Sequence, residues 1–184
     1  MRRARTVLVG LMLLGGGLGM APATAPTGLA QDAPAGIAAK AYRPDKEECA
    51  FLRQINTYRR QKNLPELEMS APLGLAAEHH SADMARRNYF SHKVRGDNRS
   101  WEQNIRHFDY KGDPVGENIA AGTDAKRAKA AMKMWKKSAP HNKTMLGKDF
   151  RAIGVGRAYD RKSKYGWYWT TTFGGKTQET VSCR

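Results

Sequence analysis

The sequence predicts an α+β layered domain: apolar residues recur at helical spacing through its middle, strand-like alternation follows Phe150, and no linker separates two cores after residue 45. At 184 residues and 40% hydrophobic content, the chain suits one globular domain.

Residues 1–30 read as an export signal. Arg2, Arg3 and Arg5 form a charged start, residues 7–20 are apolar and uncharged, and residues 21–30 are rich in small side chains, with a cut expected ahead of Gln31. The apolar run is short for a bilayer span, and an uncleaved anchor is the alternative. Arg2-Arg3 hints at a twin-arginine route, although the rest of that motif is poor. Residues 31–44 carry Ala, Pro and Gly without an apolar period and read as a flexible leader, so the domain is expected over 45–184.

A first helix starts at Asp45, with Phe51, Leu52, Ile55 and Tyr58 in its period, and ends before Asn63 and Pro65. Ser70 suits the N-cap of a second, in which Leu73, Ala76, Ala77, His80 and Met84 form the apolar stripe. Ser100 and Gln103 make a capping box for a short third helix carrying Trp101, Ile105 and Phe108. Thr123 or Asp124 caps a fourth, with Ala128, Ala131, Met132 and Trp135 on one face and Pro140 stopping or bending it. From Ala152 the period becomes two, and the aromatic and β-branched run from Trp167 to Phe173 pairs with it as an antiparallel hairpin. Gly154 and Gly156 fall on one face of the first of these strands, where a missing side chain lets another element come close.

Composition limits the chemistry. Lys and Arg number 32 against 17 acids, and the chain stays basic, at +12, without its first thirty residues. That favours anionic surfaces without specifying one. Two cysteines exclude a four-thiolate zinc site, and in the oxidising compartment that export implies, Cys49 and Cys183 are expected to bridge. There is no P-loop, GxGxxG, HExxH, GxSxG or CxxC. What remains is His92 after the second helix, Glu117 in a turn-like GEN, and His141 after the fourth helix. Two imidazoles and a carboxylate suit zinc or another divalent metal with one position open, and the same trio suits proton transfer. Scattered in a sequence, such residues are more often surface or hydrogen-bonded ones.

The motif order sharpens this. Residues 51–92 (FLRQINTYRRQKN through YFSH), then GENIAAG, MWKKSAPHNKTML, FRAIGVGRA and YWTTTFG resemble the CAP superfamily of cysteine-rich secretory, antigen five and pathogenesis-related proteins, in its bacterial secreted form. The resemblance implies an α-β-α sandwich, a small antiparallel sheet between helical layers, with a cleft holding two histidines and two acids. The family histidines fall on His92 and His141 and the first acid on Glu117. The second acid's place is taken by Ser138, which implies a reduced, three-ligand cleft.

Other polar residues have plainer readings. His79 is expected to pair with Asp83 four residues on, His80 to be a hydrogen-bonded core residue, and His107 to face solvent. Trp135, Trp167 and Trp169 fit core faces rather than a base-stacking platform, and Lys126, Arg127, Lys129, Lys133, Lys136 and Lys137 form a solvated helix face. The function expected is therefore a secreted or envelope-associated monomer whose cleft binds a lipid, protein or cell-envelope ligand, with a divalent metal as an option, no specific nucleic acid and no conventional catalysis. The alternatives are a metal-assisted hydrolase with Glu117 as base, for which no nucleophile or oxyanion hole is evident, and a basic adhesion module for anionic envelope polymers.

Overall fold

The computed structural model describes residues 41–183, so the expected signal and most of the expected leader lie outside the described residues. Helix α1 (Lys46–Arg60) starts at a capping box formed by Asp45 and Glu48. A two-residue strand β1 (Glu68–Met69) leads into α2 (Ala71–Arg87), and α3 (Trp101–His107) opens on the expected Ser100–Gln103 box. Strand β2 (Val115–Gly122) precedes α4 (Ala128–Lys137) and α5 (Ala139–Met145), and β3 (Ala152–Tyr159) and β4 (Trp167–Gly174) form the expected hairpin.

The sheet runs β1-β3-β4-β2, antiparallel except where β1 joins β3 in parallel. Alternation along β3 divides the layers. Ile153 and Val155 face α1 and α4 in a core with Phe51, Ile55, Trp135 and Trp169. Gly154 and Gly156 face α2: a Cβ on Gly154 would lie 2.0 Å from the Leu73 carbonyl carbon, and one on Gly156 would lie 2.2 Å from the Glu78 nitrogen. Thr172, in register with Gly154, donates to the Leu73 carbonyl at 2.8 Å, and Ser81 donates to the Gly156 carbonyl at 2.9 Å. The result is the expected α+β sandwich.

Four local expectations change. GEN lies within β2, because every residue of that run pairs with β4. The cap of α4 is neither Thr123 nor Asp124: the N-cap is Arg127, and the helix's first turn is satisfied across the fold by Glu47 of α1, which accepts from the Ala128 N–H at 3.0 Å. Ser70 stands at the N-cap of α2 without capping it, its hydroxyl instead donating to the Gln178 carbonyl. Tyr42, read as leader, is buried and donates to the Val155 carbonyl at 2.6 Å. Pro140 bends the chain as expected, and the chain re-enters a helix there, α5. Cys49 and Cys183 form the expected disulfide across 134 residues of sequence, worth about 4–5 kcal/mol in the chain-entropy account.

Glu48 is a buried carboxylate that accepts from the Asp45 and Arg157 N–H groups. Burial, reinforced by Asp45 and Glu78, raises its pKa to about 8. An unfolded carboxyl releases its proton near 4.5, so the folded chain holds the extra proton over the interval between, and stability falls as pH rises from about 4.5 to 8. Urea melts from pH 5 to 8 are expected to show that decline in the wild type and a flatter profile in Glu48→Gln; identical profiles contradict it. Gly156→Val should cost at least the upper end of the about 1–3 kcal/mol typical of overpacking, because helix backbone cannot move aside as a side-chain tip can. Gly122→Ala, whose new Cβ would meet only the Ala125 Cβ at 3.7 Å, should melt like the wild type.

Candidate functional site

The predicted residues gather around β2, which is an edge strand. Glu117 and Asn118 are neighbours on that strand and therefore point to opposite sides of it. Glu117 points toward α2 and its side chain is 1% exposed. Its Oε2 lies 2.9 Å from His80 Nδ1 and its Oε1 lies 2.7 Å from His92 Nδ1. On the other side, the Asn118 amide donates to the His141 carbonyl at 3.0 Å, and the Trp135 indole donates to the Ile119 carbonyl at 2.9 Å, which ties α4 and α5 to the strand. Ser138 joins those two helices, and its hydroxyl lies 2.7 Å from His141 Nδ1.

Proton counting constrains the buried half. His80 Nε2 lies 3.0 Å from the Ser91 carbonyl, which only accepts, so Nε2 carries a hydrogen. The contact between His80 Nδ1 and Glu117 Oε2 then needs a second proton, either on His80 as imidazolium or on Glu117 as a carboxylic acid. One proton is thus shared inside a pair with no solvent access. His92 donates from Nδ1 to the other oxygen when that oxygen is ionised or carbonyl-like, which turns its Nε2 outward on a half-exposed ring. Desolvation, and then the nearby His92, lower the His141 pKa, which favours the neutral imidazole.

Divalent-metal ligation by His92, Glu117 and His141 fits this geometry poorly. Both Glu117 oxygens are engaged by imidazole nitrogens, and among the described residues no group of three or more His, Cys, Asp and Glu side chains is placed to hold a metal ion. Ser138 and His141 instead line a cavity of about 340 Å³ walled by Phe90, Ile119, Trp135, Tyr165 and the half-exposed Met134. Phe90 in its wall is 44% exposed, and with Met134 it puts two exposed large apolar side chains on one cavity.

His80 is the member that sequence reading placed correctly in the core without connecting it to the site. Its position on the stripe of α2 was visible, but its reach to β2 depends on how closely that helix lies on the sheet. His79 does not pair with Asp83. It contacts Asp97 at 3.1 Å and Asn104 at 3.0 Å, because Asp83 is taken by Arg87, Tyr89 and the Gly96 N–H. His107 is exposed as expected, and Trp135 and Trp169 are core residues, while Trp167 is only partly buried under the Arg157 guanidinium, 4.8 Å from its ring.

Comparisons with known proteins agree with this architecture. The sequence profile of CAP, the cysteine-rich secretory protein family, matches residues 52–173. The uncharacterized protein YkwD of Bacillus subtilis (strain 168) is 31% identical over 157 residues, 85% of this chain and 55% of that protein. An uncharacterized membrane protein, YlbC, of the same organism is 35% identical over 128 residues, 68% of this chain and 34% of its own length. The chain thus spans about half the length of the first relative and about a third of the second. The crystal structure of an extracellular protein containing a SCP domain from Bacillus anthracis matches at TM-score 0.60 and 31% identity, over 73% of this chain and 44% of that one. An outer surface protein of Borrelia burgdorferi shares the fold at TM-score 0.61 and 17% identity, over 77% of this chain and 99% of that one. No helix among the described residues is long and apolar enough to cross a membrane.

Removing His80 strands a buried carboxyl, so His80→Ala should cost about 3 kcal/mol. His92→Ala, which truncates a half-exposed ring, should cost under about 1 kcal/mol. Urea melts of the two variants check this, and equal losses would contradict the division between buried and outward imidazoles.

Proposed function

Because the chain belongs to the cysteine-rich secretory protein family, and two of its predicted site residues, Ser138 and His141, line an apolar cavity, we propose that it is an exported binding module whose cleft takes a small apolar ligand with a polar end at Ser138 and His141. The observation that carries this reading is the cavity between Phe90, Met134, Trp135 and Tyr165, with two polar groups at one place on its wall. Export is supported by the sequence of residues 1–30, by the Cys49–Cys183 disulfide and by the extracellular relative. Catalysis finds little support: Ser138 and His141 are hydrogen-bonded, but among the described residues no carboxylate is hydrogen-bonded to that imidazole, and Glu117 is engaged by His80 and His92.

For a divalent ion the available ligands would be the His92 and His141 imidazoles, with Glu117 hydrogen-bonded to His92 as the carboxylate that orients it. Such a site has two protein ligands and binds weakly, and its affinity falls as pH drops through the histidine range, because both imidazoles must be neutral.

Nile red, an uncharged apolar probe, should bind the full chain with Phe90→Ser/Met134→Ser weakening it at least fivefold and leaving the melting temperature unchanged. Equal binding in the two proteins would overturn the apolar-cleft reading. In a separate zinc titration, any uptake by the wild type should be lost in His92→Ala and in His141→Ala and weakened in Glu117→Gln; equal affinity in all four proteins, or none, removes the metal and leaves the cluster as structural.

A further inference from the structure

The positive charge of the domain is not spread over it. Residues 49–65 and 125–148 contain twelve Lys and Arg and no acid, whereas the other described residues hold fifteen cations and sixteen acids. The first stretch is most of α1 with its C-terminal turn, and the second is α4 and α5 with their flanks. These two segments pack against each other, Phe51 meeting Trp135 with ring centroids 5.2 Å apart, so the excess charge of the domain is brought to one side of the sheet.

Between them runs a groove of about 420 Å³ lined by Arg53, Gln54, Thr57, Tyr58, Gln61 and Lys136, among others, with no acid in its wall. Lys129, Lys133, Lys136 and Lys137 are all exposed on α4, and Lys129, Lys133 and Lys136 follow one another at three to four residues, with Cβ atoms about 5–6 Å apart over roughly 10 Å of helix. Three flanking acids are engaged elsewhere: Glu47 by Arg127 and the Ala128 N–H, Glu66 by Arg60, and Glu48 inside the fold, where it accepts from the Asp45 and Arg157 N–H groups. Like charges at this spacing on one helix repel each other, which costs stability unless a counter-charge sits among them.

We propose that the α1–α4 face binds a flexible linear polyanion, a polymer carrying phosphate or carboxylate groups along its chain. A flexible polymer can bring successive charges to the lysine spacing, and its release of counterions supplies the driving force. Nucleic acid fits less well. Tyr58 is the only aromatic ring in the groove wall; the Lys136 ammonium lies 4.0 Å from its centroid and its hydroxyl donates to Asn142, so no ring is open to stack a base. The face shares no lining residue with the Ser138–His141 cavity and the proposal does not rest on that reading.

Long-chain inorganic polyphosphate and alginate, a polycarboxylate, are the probes, titrated into the full chain at 50 and 200 mM salt. The variants are Lys129→Gln/Lys133→Gln/Lys136→Gln and, removing the same charge from another surface, Arg161→Gln/Lys162→Gln/Lys176→Gln. The α4 triple should weaken binding at least tenfold and reduce the slope of log K against log salt by about 2, with the control triple within twofold of the wild type. The polymer bound more tightly identifies the charge as phosphate or carboxylate. Equal weakening in both triples would show attraction to net charge alone, and absence of binding to wild type at 50 mM salt would be as decisive against the proposal. Tighter, groove-dependent binding of duplex DNA of matched charge would reassign the face to nucleic acid. Arg53→Gln/Lys133→Gln replaces the triple if circular dichroism shows that its melt has changed.

Discussion

Helix α2 lies on β3 at two glycines where any side chain would meet helix backbone within 2.0–2.2 Å, and this close approach sets the height of everything above that face of the sheet. It brings the Leu73 carbonyl within reach of Thr172 and the Ser81 hydroxyl within reach of Gly156 and Thr170, so the helix is held by hydrogen bonds as well as by packing. It also carries His80, on the same helix, to the carboxylate of Glu117 on the edge strand. Raising α2 by the thickness of a methyl group would break that contact, because a hydrogen bond loses its strength over a few tenths of an ångström.

The site is therefore half foundation and half surface. The His80–Glu117 pair shares a proton without solvent access and anchors His92, whose ring stands half in water. On the other side of β2, His141 is held by Ser138 and by the backbone contact to Asn118, independent of the carboxylate. The pleat of β2 permits this arrangement, since adjacent residues on it reach the helical layers on opposite sides of the sheet.

Much of this was legible in the sequence because it depends on local rules. The start of α1 at Asp45, the capping box of α3, the period of α2 and the β3–β4 hairpin follow from residue type and spacing. The paired glycines signalled a close approach, although not by which helix. What escaped was non-local. GEN carries turn-forming residues yet is a strand because β4 pairs with all of it, and α4 takes its cap from Glu47, eighty-one residues before the nitrogen it satisfies. His79 lost Asp83 to groups brought in by the chain after α2, which folds back so that Tyr89 and Gly96 reach that carboxylate. Of the site, the family motifs indicated His92, Glu117, Ser138 and His141, while the role of His80 and the division into two hydrogen-bonded groups required the register of the sheet.

Helix α4 connects these features. Its buried face contributes Met132 and Trp135 to the core against Phe51, and the two edges of that face differ. Met134, Trp135 and Ser138 turn toward the apolar cavity at β2, whereas Met132 and Lys136 turn toward the groove beside α1. A ten-residue helix with four lysines and no acid would be marginal alone, so its stability comes from the tertiary contacts of that face and from the Glu47 carboxylate at its N-terminus. Charge that destabilises an isolated helix is thereby maintained on a folded one, facing solvent next to an apolar cavity. The fold holds both surfaces rigid with the same residues, and a substitution that loosened Trp135 would be expected to disturb the cavity and the cationic groove together.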